Sequence, residues 1–325
     1  MQKDIAEKAT STFAKEVHTG LTSFPKHLSS KYFYDELGDA LFQDIMAMPE
    51  YYLTNAEFEI LETQKRGITA HFSNNKEPFD LFELGAGDGK KTKILLKYLS
   101  DNNYTFTYRP IDISINALEQ LETNLLSELP SLKIDALQGT YFDTLKDIGR
   151  EKGRKKVILF LGSNIGNLLH PNAISFLRQL KDVISPEDLL FMGMDQKKHP
   201  QTILDAYNDE AGITEAFNKN VLKRINTELG GNFDVSEFLH WEVYDPESGT
   251  AKSYLVSQKE QEVHIKALDL RVHFNPWETI HTEISQKYDD ETVKWLAKES
   301  GLEIVTSFQD ERKLFKDYLL KRATL

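Results

Sequence analysis

A chain of 325 residues is long enough for one large domain or two ordinary ones, and with 40% hydrophobic residues it can build a core. Its net charge of −12, from 39 basic against 51 acidic residues, excludes a protein whose main task is gripping nucleic acid, because phosphate contacts need clustered Lys and Arg. The absence of cysteine excludes disulfides and thiolate metal sites. Residues 1–15 are too polar for a signal peptide, and no stretch approaches the roughly 20 apolar residues of a membrane span, so we expect a cytoplasmic monomer that meets neither membrane nor nucleic acid.

In chain order, residues 4–30 read as a polar lead-in with one helical stretch, and residues 31–66, rich in aromatics such as Tyr32, Tyr34 and Phe42, read as helical. Strand–helix alternation follows. Strands are predicted over 79–84, 104–111, 133–137, 156–161 and 189–194, with helices over 90–99, 115–129 and 171–183. This alternation implies an α/β fold on a doubly wound parallel sheet. The basic run 150–156 reads as a solvated loop before the fourth strand. After His199 the pattern changes. Residues 202–229 read as helical, and extended runs over 251–258, 262–268 and 270–274 suggest an antiparallel meander. The expected organisation is a sheet domain with an N-terminal helical segment (1–197), an inserted α+β part (198–285), and a return to the sheet (286–325) through a helix over 291–300 and two strands.

The most informative stretch is Glu83-Leu84-Gly85-Ala86-Gly87-Asp88-Gly89, where the first strand runs into a glycine-rich turn. Gly85 and Gly87 can take positive φ and lack a Cβ, so a ligand can approach the backbone there. Asp112 ends the second strand, where an acid can grip the two hydroxyls of a ribose. Together these features suggest a nucleoside cofactor. The dinucleotide fingerprint G-x-G-x-x-G is not met, since Lys90 falls at the third glycine. Glu83 and Asp88 would repel a pyrophosphate and attract a cation. The loop therefore favours S-adenosylmethionine, which carries a sulfonium, an ammonium and no phosphate, over NAD. The alternative is a tight turn with no ligand.

Several further segments stand in order along the chain: Tyr32-Phe33-Tyr34-Asp35-Glu36-Leu37-Gly38, Pro49-Glu50-Tyr51-Tyr52, Gly162-Ser163-Asn164-Ile165-Gly166-Asn167-Leu168, Ala206-Tyr207 with Asn218-Lys219-Asn220, and Thr282-Glu283-Ile284-Ser285. With the glycine loop they resemble the S-adenosylmethionine-dependent L-histidine Nα-methyltransferases of the ergothioneine pathway. The loop is generic to class I methyltransferases; the other segments are far more specific. The resemblance implies a Rossmann-like class I methyltransferase sheet with an inserted α+β substrate domain, and trimethylation of the histidine α-amine to the betaine. It implies cofactor contacts at Tyr51, Gly85, Lys91 and Asp112, to which the loop adds Gly87. It implies an amino-acid pocket of Tyr34, Phe42, Asn167, Tyr207, Glu283 and Ser285, with Tyr34 and Asn167 catalytic. After Gly139 the family has an acid and then an aromatic beside the adenine, where this chain has Thr140 and Tyr141. Asn164 stands where close relatives carry Thr, and Ser253 replaces an apolar Met that borders the family's pocket.

Elementary chemistry gives these residues plausible tasks. The Asn167 amide can donate to a carboxylate and accept from an amine, the alternative being a turn cap. Tyr207 can donate to a carboxylate, or be a buried ring with a wet tip. Tyr34, with an ordinary phenol pKa of about 10, is a positioning group before it is a base. Glu283 and Ser285, two apart on a strand, share a face, and a carboxylate with a hydroxyl suits the donor and acceptor of neutral imidazole; the alternative is a solvent-facing pair. Three functions compete: methylation of histidine, methylation of another amino acid or small amine, and non-catalytic binding of S-adenosylmethionine. A dinucleotide oxidoreductase is a fourth, disfavoured by the glycine spacing.

Overall fold

The computed structural model describes residues 10–141, 144, 148 and 153–324. The chain forms two compact units, one of residues 53–197 with 286–325, the other of residues up to Tyr52 with Lys198–Ser285. The N-terminal segment therefore groups with the insertion, not with the sheet domain as expected. The strands are β1 (Lys26–His27), β2 (Phe79–Leu84), β3 (Phe106–Asp112), β4 (Leu137–Gln138), β5 (Lys155–Phe160), β6 (Leu189–Asp195), β7 (Phe238–Asp245), β8 (Thr250–Ser257), β9 (Gln261–Ile265), β10 (Leu270–Phe274), β11 (Thr279–Gln286), β12 (Leu302–Gln309) and β13 (Phe315–Arg322). No helix among the described residues is long and apolar enough to cross a membrane.

In the first unit seven strands run in the order β12-β13-β6-β5-β2-β3-β4. The pairs from β6 through β5, β2 and β3 to β4 are parallel, and β13 lies antiparallel to both β6 and β12. Strand order reverses between β2 and β5, which makes their carboxyl ends the crevice where open α/β sheets bind ligands. β2 is buried along nearly its whole length, as a central parallel strand covered on both faces must be. Phe82, Ile158, Leu190 and Met192 pack with Phe176, Leu177 and Leu180 of the helix His170–Val183 and with Leu296 of the helix Asp290–Ser300. Each such buried side chain contributes about 1.5–3 kcal/mol relative to exposure. Helix starts follow their capping residues: Ser114 Oγ accepts from Ala117 N at 3.2 Å, and Asp289 accepts from Thr292 N at 2.8 Å.

Several expectations need correction. The third strand is only Leu137–Gln138, preceded by an isolated bridge between Ile134 and Tyr108; as an edge it has one neighbour, β3, to hold it. Of the basic run 150–156, residues 150–152 lie outside the described residues, while Lys155 and Lys156 open β5 instead of forming a loop. Lys156 is buried, and its N–H donates to the Asp188 carboxylate at 2.7 Å. The helix expected over 202–229 is two, Pro200–Tyr207 and Ile213–Leu229. Asp209 breaks them apart: its carboxylate accepts from Ile213 N at 2.9 Å and Thr214 N at 2.8 Å, capping the second helix.

The other unit has a four-stranded sheet in the order β1-β11-β8-β7 and a ribbon of β9 with β10. Phe217, Val221 and Ile225 of the helix Ile213–Leu229 form its core with Phe238, Leu255, Phe274 and Ile280.

Where the chain returns to the first unit, Lys287 Nζ lies 2.8 Å from Asp195 Oδ2, with both side chains fully buried. Lys287→Met strands the carboxylate in the interior, so we predict a loss of about 3–5 kcal/mol in unfolding free energy, measured by urea titration.

Candidate active site

The cofactor-type residues belong to the sheet unit. Gly85 has φ +72°, and a Cβ there would fall 2.3 Å from Tyr141 Oη. Gly87, at φ +53°, faces open space. The loop thus combines a backbone that a side chain would obstruct with room beside it, which fits a cofactor lying against the turn. Asp112 ends β3 and accepts from Ser114 N at 2.9 Å. Thr140 is exposed. Tyr141 is partly buried, and burial, aided by the charges of Asp112 and Glu83, pushes its phenol up to about 12, so it stays a neutral donor. Asn164 lies close to the loop as well, its Nδ2 3.8 Å from the position of a Cβ on Gly85.

The charge argument drawn from the loop's acids is corrected. Glu83 is buried and takes hydrogen bonds from Thr92 Oγ1 and Tyr108 Oη. Burial, opposed by those bonds, raises its pKa to about 7. It braces the loop from beneath and presents no full charge to a ligand. Asp88 is engaged by its neighbour, pairing with Lys90 Nζ at 2.9 Å and accepting from Lys90 N at 3.1 Å. The cation of this region is Lys91, which pairs with the buried Glu57 of the helix Tyr52–Phe72. Burial pulls the Lys91 ammonium down, but the charge and hydrogen bond of Glu57 outweigh it and leave the pKa raised.

Asn167 also belongs to this unit. It closes the short 3-10 turn Asn164–Asn167 after β5 and is exposed. The turn is entered through Ser163 at φ +57°, whose Oγ accepts from Asp195 N at 2.9 Å.

The remaining predicted residues belong to the other unit. Tyr34, 43% exposed, has its ring edge-on to Phe42 at 5.6 Å and to Phe217 at 5.3 Å. Phe42 is 6.4 Å from Tyr51, which is 6.3 Å from Tyr207. Tyr51, assigned to the cofactor by resemblance, therefore sits in the aromatic row of the amino-acid set. Tyr207 is buried, and its hydroxyl is 2.7 Å from Ser285 Oγ. Two residues 78 positions apart in sequence are thus brought into direct contact. Glu283 is half-buried, two residues before Ser285 on β11.

Sequence reasoning missed the residues that hold this set. Asn220 Nδ2 donates to Phe33 O at 2.9 Å and Asp35 Oδ1 at 2.8 Å, while Arg224 donates to Tyr32 O at 3.1 Å and Tyr34 O at 2.9 Å. They clamp the turn that presents Tyr34. Asn218 accepts from Thr282 Oγ1 at 2.8 Å, tying the helix to β11. The signal was present in Asn218-Lys219-Asn220, but a helical Asn gives no indication of which distant backbone it bonds.

The family described as "Histidine-specific methyltransferase, SAM-dependent" matches residues 13–322. The chain belongs to this family. A histidine N-alpha-methyltransferase of Mycolicibacterium smegmatis is 36% identical over 297 residues, covering 91% of each chain. One from Mycobacterium tuberculosis is 35% identical over the same shares. Ergothioneine biosynthesis protein 1 of Schizosaccharomyces pombe is 27% identical over 91% of this chain and 39% of its own length. The chain is a class I methyltransferase, and its cofactor is S-adenosylmethionine.

Gly85→Ala brings a methyl group against Tyr141 Oη in a backbone conformation that alanine resists. We predict that it weakens S-adenosylhomocysteine binding at least about tenfold, and that adding Tyr141→Phe, which removes the obstructing oxygen, recovers part of that loss in a double-mutant cycle read by calorimetry.

Proposed function

We infer that this enzyme methylates the α-amino nitrogen of L-histidine, in up to three steps, to give the betaine. When bound, S-adenosylmethionine supplies an electrophilic methyl group; each transfer makes one C–N bond, breaks one C–S bond and releases one proton from the amine. The observation that carries the substrate reading is the Tyr207–Ser285 hydroxyl pair beside Glu283, a compact set of donors and an acceptor. It supports a zwitterionic amino acid whose carboxylate takes a hydroxyl hydrogen and whose imidazole nitrogens meet Glu283 and Ser285.

The chain's own work is positioning. The Asn167 amide has the chemistry to orient an amine, and Tyr34, clamped through Asn220 and Arg224, offers a hydroxyl from a fixed backbone. The aromatic row of Tyr34, Phe42 and Tyr51 suits an ammonium that grows more apolar with each methyl. Holding the nitrogen in line with the methyl carbon provides much of the rate of a displacement of this kind. The same reading puts the enzyme in the cytoplasm, where its amino-acid substrate is made.

A second reading, methylation of a different amino acid, has one observation in its favour. Ser253 stands where the family carries an apolar Met, and its Oγ donates to the buried Glu242 at 2.6 Å. A paired serine and carboxylate occupy a position where the resemblance implies an apolar side chain.

Mass spectrometry of the purified protein with S-adenosylmethionine and an equimolar mixture of the common amino acids tests both. Methylated histidine, lost in Asn167→Ala, is the expected result; methylation of another amino acid instead selects the second reading. We further expect Glu283→Ala to raise the KM for histidine about tenfold or more while leaving the Kd for S-adenosylhomocysteine within about twofold. Equal losses in both would remove Glu283 from the substrate side.

A further inference from the structure

The sheet unit buries two carboxyl groups that neither the glycine loop nor the amino-acid pocket uses. Glu57 and Asp317 are both 0% exposed. Glu57 projects from the helix Tyr52–Phe72 onto the sheet. A Cβ on Gly193 of β6 would lie 2.2 Å from Glu57 Oε1, so the carboxyl rests where a side chain is missing. Gly193 is in register with Asp317 on β13. From above, Glu57 receives the Gly162 N–H at 2.8 and 3.0 Å on its two oxygens, and it pairs with the Lys91 ammonium.

Asp317 is the unusual member. No N–H or O–H among the described residues donates to either of its oxygens. The polar group its carboxyl does meet is the carboxyl of Glu57. Two carboxylates in contact in an apolar surround cannot both be ionised, and Phe315 packs over this spot. The charged groups facing the pair are Lys91, from the segment after β2, and Glu83, on β2 itself. One ammonium cannot balance two ionised carboxylates together with the partly ionised Glu83 beside them. Burial first, then the Glu57 charge, hold the Asp317 carboxyl well above its usual range, which favours its protonated form beside Glu57.

The order of the sheet gives this arrangement a direction. If Asp112 and Tyr141 serve the ribose and adenine as the sequence reading has them, the β3 side of the glycine loop takes that end of the cofactor. Lys91 leans the other way: its Nζ is 3.4 Å from the position of a Cβ on Gly162, just past β5. A nucleoside whose sugar lies toward β3 extends its other end across β2 toward β5, where the Lys91 side chain as a whole is 24% exposed.

We propose that Glu57 and Asp317 are positioning residues for the methyl donor: sharing one proton, they present a single negative charge that fixes the Lys91 ammonium beside Gly162, where it receives the carboxylate of the donor's amino-acid end. The inference rests on the reading of this unit as the S-adenosylmethionine site. A fully ionised pair would draw Lys91 inward and repel that carboxylate; a neutral pair would leave the ammonium unanchored.

Calorimetry with two probes on the full chain tests it. S-adenosylhomocysteine carries the carboxylate; 5′-methylthioadenosine has the same adenosine and thioether without it. Glu57→Gln keeps an acceptor for Gly162 but loses the charge, and should weaken S-adenosylhomocysteine binding about tenfold or more while leaving 5′-methylthioadenosine within about twofold. Asp317→Asn, a permanent neutral donor to Glu57, should match the parent at neutral pH. As pH rises and the shared proton leaves, the parent should lose affinity for S-adenosylhomocysteine while Asp317→Asn holds it. Glu57→Gln losses that are equal for both probes, or absent for both, overturn the inference and reduce the pair to packing, as does a parent with no alkaline loss. A parent that binds neither probe overturns the cofactor reading itself, and the inference with it.

Discussion

An ammonium group taken out of water needs an anion at contact distance, and in the sheet unit that requirement organises much of what surrounds the switch point. Lys91 meets it with Glu57, whose carboxylate also takes the Gly162 amide. Glu57 thereby joins three pieces of chain that sequence keeps far apart: the helix it projects from, the end of the glycine loop, and the turn after β5 that leads to Asn167. A second buried pair, Asp195 with Lys287, does the same one strand further along, and Asp195 N is tied to Ser163 in that same turn. The backbone around the crevice is therefore held by charges with defined partners as well as by packing. Such pairs are expensive to desolvate and add little net stability, but they tolerate few alternative arrangements.

The insertion unit reaches definition by a different route. Its aromatic row is soft and shape-tolerant, and what fixes it is a set of hydrogen bonds from one helix to distant backbone. Asn220 and Arg224 take hold of three consecutive carbonyls and one side chain between Tyr32 and Asp35. This explains why the N-terminal segment groups with the insertion: Asp35 caps its own helix through Gly38 N while bonded to Asn220.

Much of the sheet was legible in the sequence. The strand over 79–84 coincides with β2, because a central parallel strand reads as one apolar run. The glycine spacing and Asp112 likewise sufficed for a nucleoside cofactor, while the choice of S-adenosylmethionine rested on the resemblance and on the charge argument. Yet the electrostatic reason offered for Glu83 failed, since no local pattern reveals that Thr92 and Tyr108 enclose it. β7 passed unnoticed for a related reason. Its inward positions include His240 and Glu242, both buried, while Leu239 and Trp241 face outward at 39% and 56% exposure. Beyond Phe238 the alternation is inverted, and a strand whose hidden face is polar after its first residue leaves only a weak hydrophobic signature. Burial holds the His240 imidazole down at about 4, so it stays uncharged in that interior.

The vacancy at Gly193 has an evolutionary corollary. The space that a side chain would fill there is occupied by the Glu57 carboxyl, which in turn leans on Asp317. Positions 57, 193 and 317 lie on three different elements and form one epistatic unit. A larger residue at 193 is admissible only after 57 has shortened, and loss of the acid at 57 leaves 317 without the partner that accounts for its proton. Drift among relatives should therefore cross this triplet in an ordered series of substitutions, with the glycine the last to change.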